Sequence, residues 1–191
     1  NQVRVETGVA RFLSAELIEV RTLSGSILKL CPRWTFIATG STPRHPEHIP
    51  VDHERVFDSD SILTLAYVPS SIIVLGAGVI GCEYASVFAR LGARVTLIDR
   101  HPAPLGFLDH EISERFRATL SVHGATFVGN AQVGSVRTSI SGVEVELQDA
   151  TRLYAEKLLV AQGRVSNVAQ LNLAAAGLEL DVNGLIATDD Y

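Results

Sequence analysis

Ser71-Ile72-Ile73-Val74-Leu75-Gly76-Ala77-Gly78-Val79-Ile80-Gly81 decides how this chain folds. An apolar, mostly β-branched run enters Gly-x-Gly-x-x-Gly and continues into helical spacing, with Ile80, Tyr84, Val87, Phe88 and Leu91 as the expected buried stripe and Gly92 as its stop. A second apolar run, Val95 to Ile98, ends on Asp99, 18 residues beyond Gly81. Strand, glycines, helix, strand and carboxylate stand in the order of a dinucleotide-binding βαβ unit. In such a unit Gly76 makes the tight turn, Gly78 lets a pyrophosphate approach the backbone, and Gly81 brings the helix close to the sheet. The diphosphate would rest on the unpaired N–H groups at the helix N-terminus, where the macrodipole favours negative charge, so that Ala77, Val79 and Ile80 join the glycines as expected cofactor-binding residues.

Working outward, the pattern predicts a second helix from Asp109 to about His123, with Asp109 as cap and Gly124 as stop. Ala125 to Val128 reads as a third parallel strand. Val133–Arg137, Gly142–Leu147 and Arg152–Val160 read as a meander returning to a last buried strand. Upstream, Val9–Leu13, Leu17–Val20, Ile27–Leu30 and Trp34–Ala38 read as short strands, and residues 41–70, with prolines at 43, 46, 50 and 69, read as linker-like.

Composition excludes several classes. The 191 residues are 47% hydrophobic and 19% charged, as in a soluble globular protein. A net charge of −5 offers no field for nucleic acid or anionic lipid, so neither nucleic acid nor membrane is expected as a partner. No apolar run approaches the roughly 18 residues of a span. Cys31 and Cys82 lie 51 positions apart without CxxC spacing, which argues against a zinc site or disulfide framework and fits a cytoplasmic location. The histidines show no metal-ligand spacing, and no nucleophile stands beside a base. With no methionine, the chain reads as an internal piece of a longer protein.

With these pieces in order, the chain resembles the flavin-dependent pyridine nucleotide–disulfide oxidoreductases over nearly its whole length. Gly8-Val9-Ala10-Arg11-Phe12 is similar to the approach to the meander of their FAD domain, and Ile37-Ala38-Thr39-Gly40-Ser41-Thr42-Pro43 to their ATG-x-x-P crossover. Gly76 to Gly81 is similar to their second, nicotinamide-binding glycine motif, and Val160 to Asn167 to their GR-x-x-N segment. Within the family, Val56–Leu63, Gly81–Ser86 and Phe107–Ser113 are most similar to the soluble transhydrogenase branch. Dihydrolipoamide dehydrogenase is the enzyme alternative, and a non-enzymatic dinucleotide sensor the other.

The resemblance implies an α/β fold: a Rossmann-like NAD(P)-binding domain with a parallel sheet and small β-meander (71–167). A partial β-rich piece of an FAD-binding domain (1–44), a linker (45–70) and a return segment (168–191) complete it. It implies NAD, NADP and, in the full-length parent, FAD as cofactors, with hydride transfer between nicotinamides through flavin. It also implies a homodimer through a C-terminal domain beyond this chain. The family's first glycine motif and its Cys-x4-Cys pair do not occur here, so the chain alone is expected to be colourless and inactive.

Residue by residue, Asp99 is expected to accept from the adenosine ribose and to repel a 2′-phosphate, the alternative being a solvated strand-end carboxylate. Arg100 and His101 would offset that repulsion; as surface residues they need no role. A carboxylate at 99 departs from a transhydrogenase accepting both cofactors and favours NAD. Glu83 matches a carboxylate holding the nicotinamide carboxamide, though a first-turn glutamate also suits the helix dipole. Val79 matches a position bearing a gating tyrosine in some relatives. Gly163 would let cofactor approach, or simply turn the strand end. Val133 borders the adenine or belongs to the core. Ala10, Thr39 and Gly40 match positions lying against FAD. Cys82 reads as a small apolar filler.

Overall fold

In chain order the elements of the computed structural model, which describes residues 3–189, are these. Strands β1 (Gly8–Ser14), β2 (Leu17–Thr22), β3 (Ile27–Leu30), β4 (Ser41–Pro43), β5 (Val56–Asp58) and β6 (Ser71–Leu75) precede helix α1 (Val79–Arg90). Then come β7 (Arg94–Ile98), helix α2 (His110–Val122), β8 (Ala125–Val128) and β9 (Val133–Ser139). The chain ends with β10 (Gly142–Leu147), β11 (Arg152–Ala155), β12 (Lys157–Val160) and β13 (Arg164–Ser166). They divide into two compact units, residues 43–164 and the discontinuous set 1–42 plus 165–191.

The unit 43–164 is built on a five-stranded sheet, order β5-β12-β6-β7-β8, in which every pairing is parallel. Because side chains alternate across a strand, each strand feeds two cores. Ile72, Val74, Val95, Leu97 and Leu159 pack with Cys82, Ala85, Phe88 and Ala89 of α1 and with Leu120 of α2. Ile73, Leu75, Ile98, Leu158 and Val160 pack with Val136, Val143, Val145 and Leu147 of the antiparallel β11-β10-β9 meander. The result is three layers, with helices on one face of the sheet and the meander on the other.

The βαβ reading stands, with one correction to its buried stripe. Val87 and Leu91 are about half exposed, and the buried face of α1 is instead Gly81, Cys82, Ala85, Phe88 and Ala89. Phe88 of the expected stripe is buried as read, and the other positions of that face are small because Gly81 seats the start of the helix against the loop. Gly92 and Gly124 end the two helices with positive φ, and the Asp109 carboxylate accepts from Glu111 N at 2.9 Å, as a cap should.

Two stretches differ from expectation. Residues 45–70 hold more than a connection: Val56–Asp58 pairs in parallel with β12 as the sheet's fifth strand, and Ile49, Val56, Phe57 and Ile62 are buried. Trp34–Ala38 forms no strand, and Trp34 and Phe36 are exposed.

Asp58 closes β5 as a buried anchor. Its carboxylate accepts from Ser61 N (2.7 Å), Ser61 Oγ (2.8 Å) and Asp60 N (3.0 Å), and pairs with His45 Nε2 at 2.7 Å. Burial alone raises this carboxyl, but these donors outweigh it and hold the pKa at about 2, below the ordinary 3.8. A depressed carboxyl stabilises the fold fully above its unfolded value and loses that contribution as pH falls through its folded one. Asp58→Asn is therefore expected to cost roughly 2 kcal/mol at neutral pH. The gap to wild type in urea unfolding should close between pH 4 and 2. A gap that stays constant over that range would exclude Asp58 as the source.

The unit 1–42 plus 165–191 carries the antiparallel β1-β2-β3 sheet. Its core joins Phe12 to Val168, Leu171 and Leu173. Phe12 N donates to Leu171 O (2.8 Å), and Asn172 Nδ2 donates to Phe12 O (2.9 Å).

Candidate functional site

The sheet order places β7 and β12 on opposite sides of β6, so the chain's winding reverses at β6. In open parallel sheets the crevice beyond the carboxyl ends of the strands, at such a reversal, is where ligands bind. Here that crevice is a cleft of about 1040 Å³, lined by the ends of β6, β7 and β12 and by the start of β9.

Each glycine of the motif has its own physical reason. Gly76 has φ +100°, and a Cβ there would overlap the Ala161 carbonyl oxygen of the neighbouring strand end. A Cβ on Gly81 would overlap the Gly76 carbonyl oxygen, so this glycine seats α1 on the loop. Gly78 differs. Its φ of −75° suits any residue, and a Cβ there would meet nothing within 4 Å. Packing within the chain gives no reason for a glycine at 78, and its open side lines the cleft.

Helix α1 begins at Gly78 with no side-chain cap, whereas α2 is capped by Asp109. The first-turn N–H groups of α1 are thus left for an acceptor from outside the chain, at the positive end of the helix. Below them the loop is held from inside. Ala77 N donates to Asp99 Oδ2 at 2.6 Å, Cys82 Sγ contacts Ala77 O at 3.3 Å, and Leu105 N donates to the same carbonyl at 2.8 Å. Burial pushes the Cys82 thiol up to about 12, which keeps it protonated and unreactive, as its reading as an apolar filler requires.

Asp99 is therefore more than a strand-end carboxylate. Oδ2 braces the glycine loop through Ala77, while Oδ1 accepts from His101 N (2.8 Å) and meets His101 Nδ1 at 2.7 Å. Burial raises its pKa, but these hydrogen bonds more than compensate and the carboxyl is held low, hence ionised. Asp99 itself lines the cleft. Arg100 and His101 stand beside it on the same wall.

The other expected residues fall into groups. Gly76, Ala77, Gly78, Asp99, Arg100, Val133 and Gly163 all line the cleft. Val133 also packs against the meander core. Gly163 needs its φ of +93° to turn the end of β12. Ile80 does not line the cleft. Val79 and Glu83 line a separate hollow of about 640 Å³ between α1 and the segment before α2. Glu83 is the fifth residue of α1 and exposed, so the helix-dipole reading of a first-turn glutamate is corrected. Ala10, Thr39 and Gly40 belong to the other unit. There Asn167 ties the crossover down, its Nδ2 donating to Thr39 O (3.1 Å) and its N to Gly40 O (3.1 Å). Gly40 turns with φ +70°, and its open side meets no atom of the chain within 4 Å.

Sequence reasoning missed Arg44, His48 and Gln162, which also line the cleft. Prolines at 43, 46, 50 and 69 made 41–70 read as linker-like, and no local period distinguishes a linker from the rim of a crevice. Arg164 it left without a role. In the structure Arg164 grips Asp60 (2.7 Å) and Ser59 Oγ (3.0 Å).

A protein-family model described as pyridine nucleotide-disulphide oxidoreductase matches residues 1–191. The soluble pyridine nucleotide transhydrogenase of Colwellia psychrerythraea is 42% identical over 192 residues, covering 100% of this chain and 41% of that protein. That of Pseudomonas aeruginosa is 38% identical over 190 residues, with the same coverages. Among solved structures, the Cu(II) complex of the HOCl-induced flavoprotein disulfide reductase RclA from Escherichia coli superposes with a TM-score of 0.85 at 28% identity, over 95% of this chain and 41% of that one. LpdA from Mycobacterium tuberculosis gives 0.84 at 25% identity, over 98% and 40%. The chain spans about 41% of the length of the curated relatives it matches.

Proposed function

The chain belongs to the pyridine nucleotide-disulphide oxidoreductase family, and on that premise we propose that it is the nicotinamide dinucleotide-binding part of an FAD-dependent transhydrogenase. The observation that carries this reading is Gly78: a glycine that no packing within the chain requires, open to a cleft, at an uncapped helix N-terminus. A diphosphate fits that arrangement in charge and in space. The curated relatives, named for transhydrogenation, support the reaction.

When bound, flavin and nicotinamide supply the hydride chemistry themselves. The residues of this chain bind and orient. Gly78 and the α1 N-terminus seat the diphosphate, and Asp99 accepts from the adenosine ribose while bracing Ala77. Gly163 lets the nicotinamide half pass close over the end of β12, whereas Glu83 and Val79 line the separate hollow beside α1. Ala10, Thr39 and Gly40 lie against FAD in the full-length protein. No general base is needed for hydride transfer. We place the protein in the cytoplasm as a homodimer. Its relatives are named soluble, and no helix among the described residues is long and apolar enough to cross a membrane.

NADH is expected to bind more tightly than NADPH, by about tenfold. Ribose hydroxyls can donate to Asp99, whereas a 2′-phosphate about 4 Å from it adds like charge costing about 4 kcal/mol near a surface before screening. Arg100 recovers part of that cost. Asp99→Asn should narrow the preference, and Arg100→Ala should weaken NADPH more than NADH. Fluorescence titration at low and high salt measures both, since only the phosphate-dependent difference should shrink with salt. Equal affinities in the wild type would mean that Asp99 does not face the ribose.

A further inference from the structure

The charges lining the cleft are unevenly committed. Asp99 is its one carboxylate among the described residues, and both of its oxygens already have partners. Its two arginines, Arg44 and Arg100, are exposed, and neither guanidinium has a hydrogen bond or ion pair to a described residue. In a chain of net charge −5, two uncommitted guanidiniums in one crevice are a provision for an anion.

Their positions differ. Arg100 follows β7, on the side where Asp99 would meet the adenosine ribose. Arg44 sits on the other side, its N–H donating to Gly163 O (3.0 Å) just past the end of β12. Its Nε lies 4.0 Å from where a Cβ on Gly163 would stand, so the side chain extends over that strand end. Since β6 and β12 are neighbours, roughly 4.8 Å apart, Arg44 stands one strand over from the Gly78 cradle. A dinucleotide with its diphosphate at Gly78 and its adenosine over β7 must lay its other half over β12.

Resting on the dinucleotide reading above, we propose that Arg44 is a binding residue for the nicotinamide-side nucleotide, its guanidinium pairing with that half's phosphate oxygen. Arg44 and Arg100 then divide the ligand between them. Arg44 holds the half that both cofactors share, and Arg100 senses the 2′-phosphate that only one carries.

The test compares NADH, reduced nicotinamide mononucleotide and AMP on wild type, Arg44→Ala and Arg44→Lys. Arg44→Ala is expected to weaken NADH and the mononucleotide about tenfold and AMP by less than about twofold, the size of a lost charge-assisted contact. Arg44→Lys should recover part of the loss. An Arg44→Ala protein that binds NADH as wild type does, or loses AMP equally, overturns the assignment while leaving the dinucleotide site standing. A wild type that binds none of the three overturns the site itself, and the assignment with it.

Discussion

Gly78→Val is expected to give a folded protein whose NADH affinity falls by roughly a hundredfold or more, about 2.7 kcal/mol. The backbone at 78, with φ −75° and ψ −173°, lies where valine is comfortable, and a Cβ there meets no atom within 4 Å. They enter the space a diphosphate needs to reach the α1 N–H groups. Circular dichroism and a urea curve close to those of wild type, with the titration signal lost, would be the expected pair of results. Unchanged NADH affinity in a folded Gly78→Val protein would remove the glycine loop from the binding site.

Gly81→Ala should do the opposite, although it adds less. Its Cβ would stand inside contact distance of the Gly76 carbonyl oxygen, and both partners are backbone, so neither a rotamer change nor a side-chain shift relieves it. Destabilisation of about 3 kcal/mol is expected, a large part of a typical domain's stability. Urea unfolding of Gly81→Ala beside Gly78→Ala measures it. The first should shift strongly and the second hardly at all. Equal shifts would mean that α1 does not rest on the loop as described.

These two glycines also mark how far the sequence could be read. Spacing alone placed the strand, turn, helix and second strand, because β-branched runs and glycines report local geometry. It also found the cap at Asp109 and the order of the meander. It misjudged the buried side of α1, since hydrophobic periodicity favours large residues and the close approach of helix to sheet selects alanine and cysteine. It passed over β5, whose three residues are too few for any period to register. Trp34 and Phe36 suggested a strand by composition, yet a strand needs a partner, and local sequence does not state one. Arg44 escaped for a related reason. The cleft brings Arg44 against Gly163, 119 positions away, so its lining residues are neighbours only after folding. The bond between Asp99 and Ala77 was hidden in the same way, across 22 residues.

The discontinuous unit has a consequence for the order of events during synthesis. Residues 43–164 are contiguous and contain both of their own cores, so they can fold as soon as β12 emerges. The first 42 residues cannot finish at that point, because Phe12 packs on Val168, Leu171 and Leu173, and Asn167 must arrive to pin Thr39 and Gly40. At about 5–20 residues per second, the β1–β3 meander waits on the order of ten seconds with its core side uncovered. During that interval its apolar face is open to chaperones and to other nascent chains. The β1–β3 segment is made before residues 43–164 and completed after them.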